Sequence, residues 1–327
     1  SHFISEWQLI VRRSLANWRL LSTIMVGVLI AVALLSSTPL YSNAINDLGL
    51  NRSLRERQIE MLDLNVYAPN YFVNRDDFQE ADLFINRQVS RNIRSVVRQE
   101  ETRIKSQTYY AAWTDRPLPE NTPRPLGHFQ VFSNLEKYIT IVEGRYAEAA
   151  TDGSSRDESS DSEFAVEGMI GSETAEIFDV EVGDRLVFIT GFGSDEKQIV
   201  IELTAIIDPT DPGEEYWFLD TDIFTVPADA GKVAPIFIPE QTLFEDVARL
   251  FPDTKATYNW FYYVDVDKIN SQNAGNIKLA VQRMERQLLA TLPRSGMFTT
   301  LDSVLTQYQA KLMFTQIPLF LIVSQIV

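Results

Sequence analysis

The stretch MLDLNVYAPNYFVNRDDFQEADLFINRQVSRNIRSVVRQEETRIKSQTYYAAW, residues 61–113, decides the fold. Its beginning, 61–69, alternates apolar and polar side chains as a strand does. A helix is then predicted from Asn74 to about Glu101, because acids follow Asn74 and apolar residues recur at helical spacing. Residues 102–113 are again strand-like. A strand, a long helix and a strand predict the start of an α+β sandwich.

The pattern of short strands and helices continues to residue 312. Residues 41–126 and 233–312 together predict a mixed α/β subdomain, and the latter range ends in an exit helix. Between them, 127–232 is a run of short strands with tight turns, which predicts a smaller β-rich subdomain. The serine- and acid-rich tract 150–163 has no apolar face, so we expect a disordered surface loop there. The predicted fold class is therefore an α+β domain of two subdomains.

Apolar runs flank this domain on both sides. Residues 20–40, LLSTIMVGVLIAVALLSSTPL, carry no charge. A helix of about 20 apolar residues is enough to cross the hydrocarbon of a bilayer, so the run predicts a first transmembrane helix. The polar stretch after it has a weak apolar stripe, which favours a helical stalk. A second run closes the chain, and 313–327 is predicted to be the truncated start of a second transmembrane helix.

The residues before the first span predict how the chain sits in the membrane. Apolar residues in 1–19 recur at three- or four-residue steps, as in an amphipathic interfacial helix. Three arginines stand there against one acid, which predicts a cytoplasmic N-terminus and an extracytoplasmic main domain. The alternative is a cleaved signal peptide, because 42–44 have the spacing of a cleavage site. The predicted membrane anchor consists of Trp7, Trp18, Arg12, Arg13 and Arg19.

Composition excludes several classes of function. The net charge of −16 disfavours nucleic-acid binding, which needs basic surface against phosphate. The chain has no cysteine, so no disulfide framework supports it. It has neither a phosphate-binding loop of the Walker type nor a nucleophile elbow. His128 is the one histidine of the predicted outer domain, and we interpret it as structural. We therefore expect no catalytic activity in this chain.

The acidic segment DPTDPGEEYWFLDTD, 208–222, is the one cluster with possible ligand chemistry. Hard carboxylate oxygens bind calcium, but the spacing is not that of an EF-hand loop. We interpret the segment as a solvated acidic turn that Tyr216, Trp217 and Phe218 pack onto the domain. The alternative is a cation site, whose weak candidate ligands are Asp208, Asp211, Glu214 and Glu215.

Three segments, together with the layout of spans and outer domain, resemble the MacB/FtsX-like permease family of ABC transporters. They are ITIVEGRYAE with Gly144 and Arg145, GMIGSETAEIFDVEVGDRLVF with Gly183 and Asp184, and IVIELTAIIDPTDPGEEYW. Each is short, and each places a strand end or a tight turn. The resemblance extends over essentially the whole chain.

The resemblance implies a mechanical membrane subunit that transmits motion to an extracytoplasmic domain. ATP would be bound by a separate cytoplasmic ABC ATPase subunit, and this chain would carry no cofactor. The other implied partners are a second permease copy, membrane lipid and an unknown extracytoplasmic substrate or partner. Family members have four membrane helices, whereas this chain ends within the second. A membrane-tethered sensor domain of a signalling protein is the alternative, because it has the same layout.

Overall fold

The structure is a computed structural model that describes residues 18–113, 125–149, 165–190, 197–218, 223–224 and 233–324. The helices are α1 (Trp18–Arg55), α2 (Arg75–Asn92), α3 (Ser172–Phe178), α4 (240–250, with a π-helical turn at Leu243–Val247), α5 (Ala274–Thr291) and α6 (Leu301–Ser324). The strands are β1 (Leu64–Phe72), β2 (Val97–Ser106), β3 (Tyr109–Trp113), β4 (Leu126–Phe132), β5 (Ile139–Gly144), β6 (Ala165–Gly171), β7 (Arg185–Thr190), β8 (Lys197–Pro209), β9 (Val233–Phe237), β10 (Lys255–Val264) and β11 (Gly296–Phe298).

The described strands form one sheet with an open part and a closed part. The open part has the order β11-β1-β10-β2 and passes into β4. From β4 the order β3-β7-β8-β6-β9 returns to β4, because β9 pairs with both β6 and β4. These six strands form a ring, which we call the β-ring, and β5 is attached to it by pairing with β8. The β-ring includes β3 and β9, which flank the predicted range 127–232.

Helix α2 packs on the open part of the sheet. It begins where Asn74 caps it, because the Asn74 Oδ1 accepts the N–H of Asp76 at 2.8 Å and that of Asp77 at 3.1 Å. One turn later Phe78 stacks on Trp260 of β10, with 5.9 Å between ring centroids. Alternate residues of β10 therefore point at the helix, as period-two geometry requires.

The predicted C-terminal end of α2 is wrong. The helix ends at Asn92 rather than near Glu101, and β2 already begins at Val97. Two β-branched residues, Val96 and Val97, stand at this point, and β2 pairs with β10 from Val97 to Ser106. Ladder hydrogen bonds with β10 thus outweigh the helical spacing that residues 93–101 show in isolation. The region predicted as one strand, 102–113, contains the end of β2 and all of β3.

Two clusters of buried side chains form the core. The larger runs from α1 through the open sheet into the β-ring and on to α6. The smaller lies beneath β5 and β8 and includes Tyr216, Trp217 and Phe224. The chain therefore has a mixed α/β fold, as predicted, whereas the division into two subdomains stays a prediction.

Candidate functional site

The two longest helices meet the domain at one place, which we call the helix base (residues 46–63 and 267–309). Helix α1 runs into the base and α6 runs out of it. Leu50 and Leu54 of α1 and Leu301 and Leu305 of α6 are at most 1% exposed. All four belong to the larger core cluster. Both helix ends are therefore parts of the domain core and not appendages to it.

Hydrogen bonds tie the two helices to each other and to α5. The Tyr308 hydroxyl donates to the carbonyl of Asn46 at 3.0 Å. Asp47 accepts the backbone N–H of Ser271, just before α5, at 2.7 Å, and hydrogen bonding from Ser271 lowers the pKa of Asp47. Since each bond joins residues more than 200 positions apart, α1, α5 and α6 are fixed relative to one another at the base.

The links next to the two helices are also joined. Thr300, directly before α6, donates both its backbone N–H and its hydroxyl to the carbonyl of Met61, at 2.8 and 2.7 Å. Thr299 donates its hydroxyl to the carbonyl of Leu62 at 3.1 Å. The segment that follows α1 and the segment that precedes α6 therefore move as one unit.

Asp63 ends this joined segment and is fully buried. Its Oδ1 accepts the N–H of Val264 at 2.6 Å, and its Oδ2 has no hydrogen-bond partner among the described residues. Burial raises the pKa of Asp63 to about 7, although the Val264 N–H and the charge of Arg98 oppose the shift. Sequence reasoning missed this group. The alternating pattern of 61–69 puts Asp63 at a polar position, so the sequence carried no signal of its burial.

The structure separates the four weak cation-ligand candidates. Asp208 and Asp211 each accept a nearby backbone N–H, from Ser172 at 3.4 Å and from Gly213 at 2.9 Å. Glu215 pairs with Arg98 of β2, and Glu214 is exposed. No group of three or more acidic or histidine side chains arranged to hold a metal occurs in the described parts of the chain. The acids at 220 and 222 lie outside the described residues.

The aromatic residues of the same segment pack as predicted. Tyr216 and Trp217 are 2% and 4% exposed and belong to the smaller core cluster. The Trp217 indole N–H donates to the carbonyl of Asp211 at 2.9 Å, which folds the acidic turn back on itself.

The four residues of the resemblance motifs lie at two turns. Strand β5 ends at Gly144, whose φ is 87°, and the N–H of Arg145 donates to the Thr204 carbonyl at 2.8 Å. The Arg145 guanidinium forms a two-pronged ion pair with Glu167. Gly183 has a φ of 96° and donates its N–H to the Leu203 carbonyl at 2.7 Å. Asp184 closes that turn by accepting the N–H of Glu181 at 3.0 Å.

The predicted membrane anchor is described only in part. Trp18 and Arg19 lie in the first turn of α1, and the Trp18 side chain is 60% exposed. Trp7, Arg12 and Arg13 lie outside the described residues, as do the tract 150–163 and most of the predicted interfacial helix. Nowhere in the described part of the chain is there a helix both long and apolar enough to cross a bilayer. The two predicted membrane spans stay predictions.

His128 lies on β4 and is only 6% exposed. The Gln130 amide nitrogen lies 2.8 Å from its Nε2. Burial, with a smaller effect from Lys105, lowers the pKa of His128 to about 3, so the imidazole is neutral at physiological pH. These features agree with the interpretation of His128 as a structural residue.

A cleft of about 380 Å³ opens between α2, the middle of β2 and the start of α4. Trp260 and Tyr262 form its aromatic wall, and both are held by α2: the Trp260 indole donates to Asp82 at 2.9 Å and the Tyr262 hydroxyl to Asn86 at 2.6 Å. Its carboxylates are those of Asp82, Glu100, Glu101 and Glu240. The volume is within the range of small-molecule sites.

Comparisons with known proteins find likeness among solved structures only. No protein-family model matches the chain, and no curated protein matches its sequence. Among solved structures, the periplasmic region of MacB from Actinobacillus actinomycetemcomitans is similar, with a TM-score of 0.38 and 10% sequence identity. The match covers 78% of this chain and 95% of that one.

Proposed function

We propose that this chain is a permease subunit of an ABC transporter of the MacB/FtsX type, which transmits ATPase-driven motion to an extracytoplasmic domain. The observation that carries the proposal is the helix base. Two long helices enter one core, and their adjoining links are hydrogen-bonded to each other through Thr300 and Met61. A displacement of either helix along its axis must therefore move the domain, since a close-packed core transmits strain.

Exposed apolar side chains support a membrane location for α1. Between positions 24 and 32 the described large apolar residues are 54–65% exposed: Ile24, Met25, Val26, Val28, Leu29, Ile30 and Val32. Such a surface is costly in water and favourable in lipid. In this proposal the N-terminus is cytoplasmic and the domain is extracytoplasmic.

In this proposal the chemical step, ATP hydrolysis, is carried out by a partner subunit. The chain is a non-catalytic subunit, ATP is hydrolysed by a cytoplasmic ABC ATPase, and a second permease copy completes the unit. The substrate that the transporter moves, or the partner that it regulates, lies on the extracytoplasmic side of the membrane. The β-ring is the part of the domain most remote in sequence from the helix ends, so we assign it to that contact.

The first test is association with the ATPase. We expect the full-length protein to co-purify with a Walker-motif ATPase in mild detergent. With ATP, amide hydrogen exchange in the β-ring should differ from that with ADP. Leu54→Ala, which loosens the base, should retain the ATPase but reduce this nucleotide-dependent difference, whereas Leu48→Ala at an exposed position should not. Absence of any associated ATPase would refute the proposal.

The cleft favours a second candidate, a tethered extracytoplasmic sensor that binds a small ligand. Carboxylates and aromatic rings together suit an amine. We expect spermidine or arginine methyl ester to raise the melting temperature of the full chain if this candidate is correct. The double variant Glu100→Gln/Glu240→Gln should lose the rise, and Glu143→Gln, away from the cleft, should retain it. An equal rise in all three proteins would indicate non-specific binding to an acidic protein and would count against the sensor.

A further inference from the structure

The solvent-facing side of α2 has acids towards one end, arginines towards the other and a leucine between them. On its inner side the helix buries Phe78, Ile85 and Val89. The opposite side carries a line of exposed residues that we call the α2 stripe: Asp76, Glu80, Leu83, Arg87 and Arg91. Successive members are three or four residues apart, which keeps their side chains on one side of a helix. Leu83, at the centre, is 63% exposed.

The helix dipole accounts for only part of this arrangement. Acids in the first turn and bases in the last turn are favourable, which explains Asp76 and Arg91. The effect falls off beyond the terminal turns, and Glu80 and Arg87 lie inside them in a helix that spans Arg75–Asn92. Each of these two inner residues also has a like charge four residues away, a spacing that destabilises a helix.

The charges of the α2 stripe are not neutralised within the domain. In the part of the chain that the structure describes, none of its two acids and two arginines forms an ion pair. An exposed helix usually places opposite charges four residues apart, so that they support each other. Here the signs are instead separated into two halves around Leu83.

A second copy of the same stripe supplies the opposite charges. If two α2 helices pack antiparallel with Leu83 against Leu83, a two-fold axis passes between the two leucines. Residues three before and four after Leu83 then face each other, so each Glu80 lies opposite the Arg87 of the second copy. By the same geometry each Asp76 comes near the Arg91 of the second copy. Every ion pair therefore forms twice, whereas parallel packing would set acid against acid.

We propose that the α2 stripe is a docking surface for a second copy of this chain, and that the two domains pair through antiparallel α2 helices centred on Leu83. The inference deepens the proposed function, on which it rests only for the presence of a second copy in the same membrane. Charge complementarity selects this occupant, because the stripe is complementary to itself under a two-fold rotation.

The size of the stripe makes this a weak contact that depends on tethering. A helix face of 18 residues is about 27 Å long and about 10 Å wide, so it covers roughly 300 Å². Stable complexes bury about 800 Å² on each partner. Two copies held in one membrane have a high effective concentration, at which a weak contact forms. The pairing is therefore reversible, as a moving domain requires.

The first test is disulfide cross-linking of the full-length protein in phospholipid vesicles under mild oxidation. The chain has no cysteine, so a single introduced thiol reports pairing without background. Leu83→Cys should give a disulfide-linked dimer, because the two-fold axis places this position against itself. Ser90→Cys is the matched control, since Ser90 is exposed on the same side of the helix. It would lie about 21 Å from its counterpart, beyond the reach of a disulfide, and should cross-link at least about tenfold more slowly.

The second test exchanges charges in the Leu83→Cys background. Glu80→Arg and Arg87→Glu should each reduce cross-linking about tenfold, because each places like charges opposite one another. The double variant Glu80→Arg/Arg87→Glu should restore it, since both members of every pair change sign together. Glu143→Arg, the same change of net charge at an exposed site on β5, should have no effect.

Each result either supports or overturns the pairing. Equal rates for Leu83→Cys and Ser90→Cys would mean random collision, and the proposal would be wrong. Absence of restoration in the double variant would also overturn it, because a stripe that binds some other partner is not repaired by exchanging its own charges. The vesicles contain no ATPase. Failure of this pairing therefore leaves the association with an ATPase untouched, and failure of that association leaves the pairing untouched.

Discussion

Replacing Leu54 by alanine should reduce the free energy of unfolding by roughly 2–5 kcal/mol. Leu54 is 1% exposed at the end of α1, where it packs in the larger core cluster, so truncation removes apolar contacts and leaves a cavity. Leu50 and Leu305, also fully buried at the base, should behave alike. Urea unfolding followed by circular dichroism measures the loss directly.

Leu48→Ala is the matched control on the same helix. Leu48 is 73% exposed, so its truncation should change stability by no more than about 0.5 kcal/mol. Near-equal losses for Leu48→Ala and Leu54→Ala would mean that the end of α1 is not embedded in the core. The helix base would then be unable to transmit force, and the proposed function would lose its main support.

Replacing Gly144 by alanine should destabilise the domain by roughly 3–5 kcal/mol, at the upper end of single substitutions. Gly144 has a φ of 87°, and a Cβ there would lie 2.1 Å from the Thr204 carbonyl oxygen and 3.0 Å from the Ala205 Cα. Both are backbone atoms of β8, a strand central to the β-ring, so neither can move without breaking strand pairing. Thermal unfolding should show a lower midpoint, and amide hydrogen exchange should show reduced protection along the β5–β8 ladder.

Gly183→Ala separates backbone strain from the clash. Gly183 has a similar φ of 96°, but nothing lies within 4 Å of a Cβ built there. Its substitution should cost about 1–2 kcal/mol, the strain of a left-handed conformation alone. If the two alanine variants were equally stable, the close approach of β8 to Gly144 would be disproved.

Local patterns predicted most elements and failed where a partner strand decided the outcome. The strand predicted in 61–69 and the helix predicted to begin at Asn74 lie where alternation and the capping residue place them, as Leu64–Phe72 and Arg75–Asn92. Residues 93–101 do not, because their helical spacing is overruled by pairing with β10, about 160 positions away. Predictions from short windows cannot include a partner that distant.

In the candidate site, too, local patterns predicted some features, and contacts between distant residues decided the others. The apolar stripe after residue 40 is visible in the sequence and favours a stalk helix, and Leu50 and Leu54 in it are buried. The acids in 208–215 form a cluster in the sequence. In the structure they have different partners: Asp208 and Asp211 accept backbone N–H groups, and Glu215 pairs with Arg98. Asp63 belongs to no motif, and its hydrogen bond with Val264 exists only because β1 and β10 are neighbours.

By itself the sequence determined the class of the chain: an acidic, cysteine-free α+β domain between two apolar runs, without catalytic motifs. Composition and periodicity suffice for that, because they depend on residues close in the chain. Only the tertiary structure decided that α1 and α6 share one base, that six strands close into a ring, and that Arg98 pairs with Glu215. Each of these three features joins residues that are far apart in the sequence. Such contacts are set by packing of the whole chain rather than by local propensity.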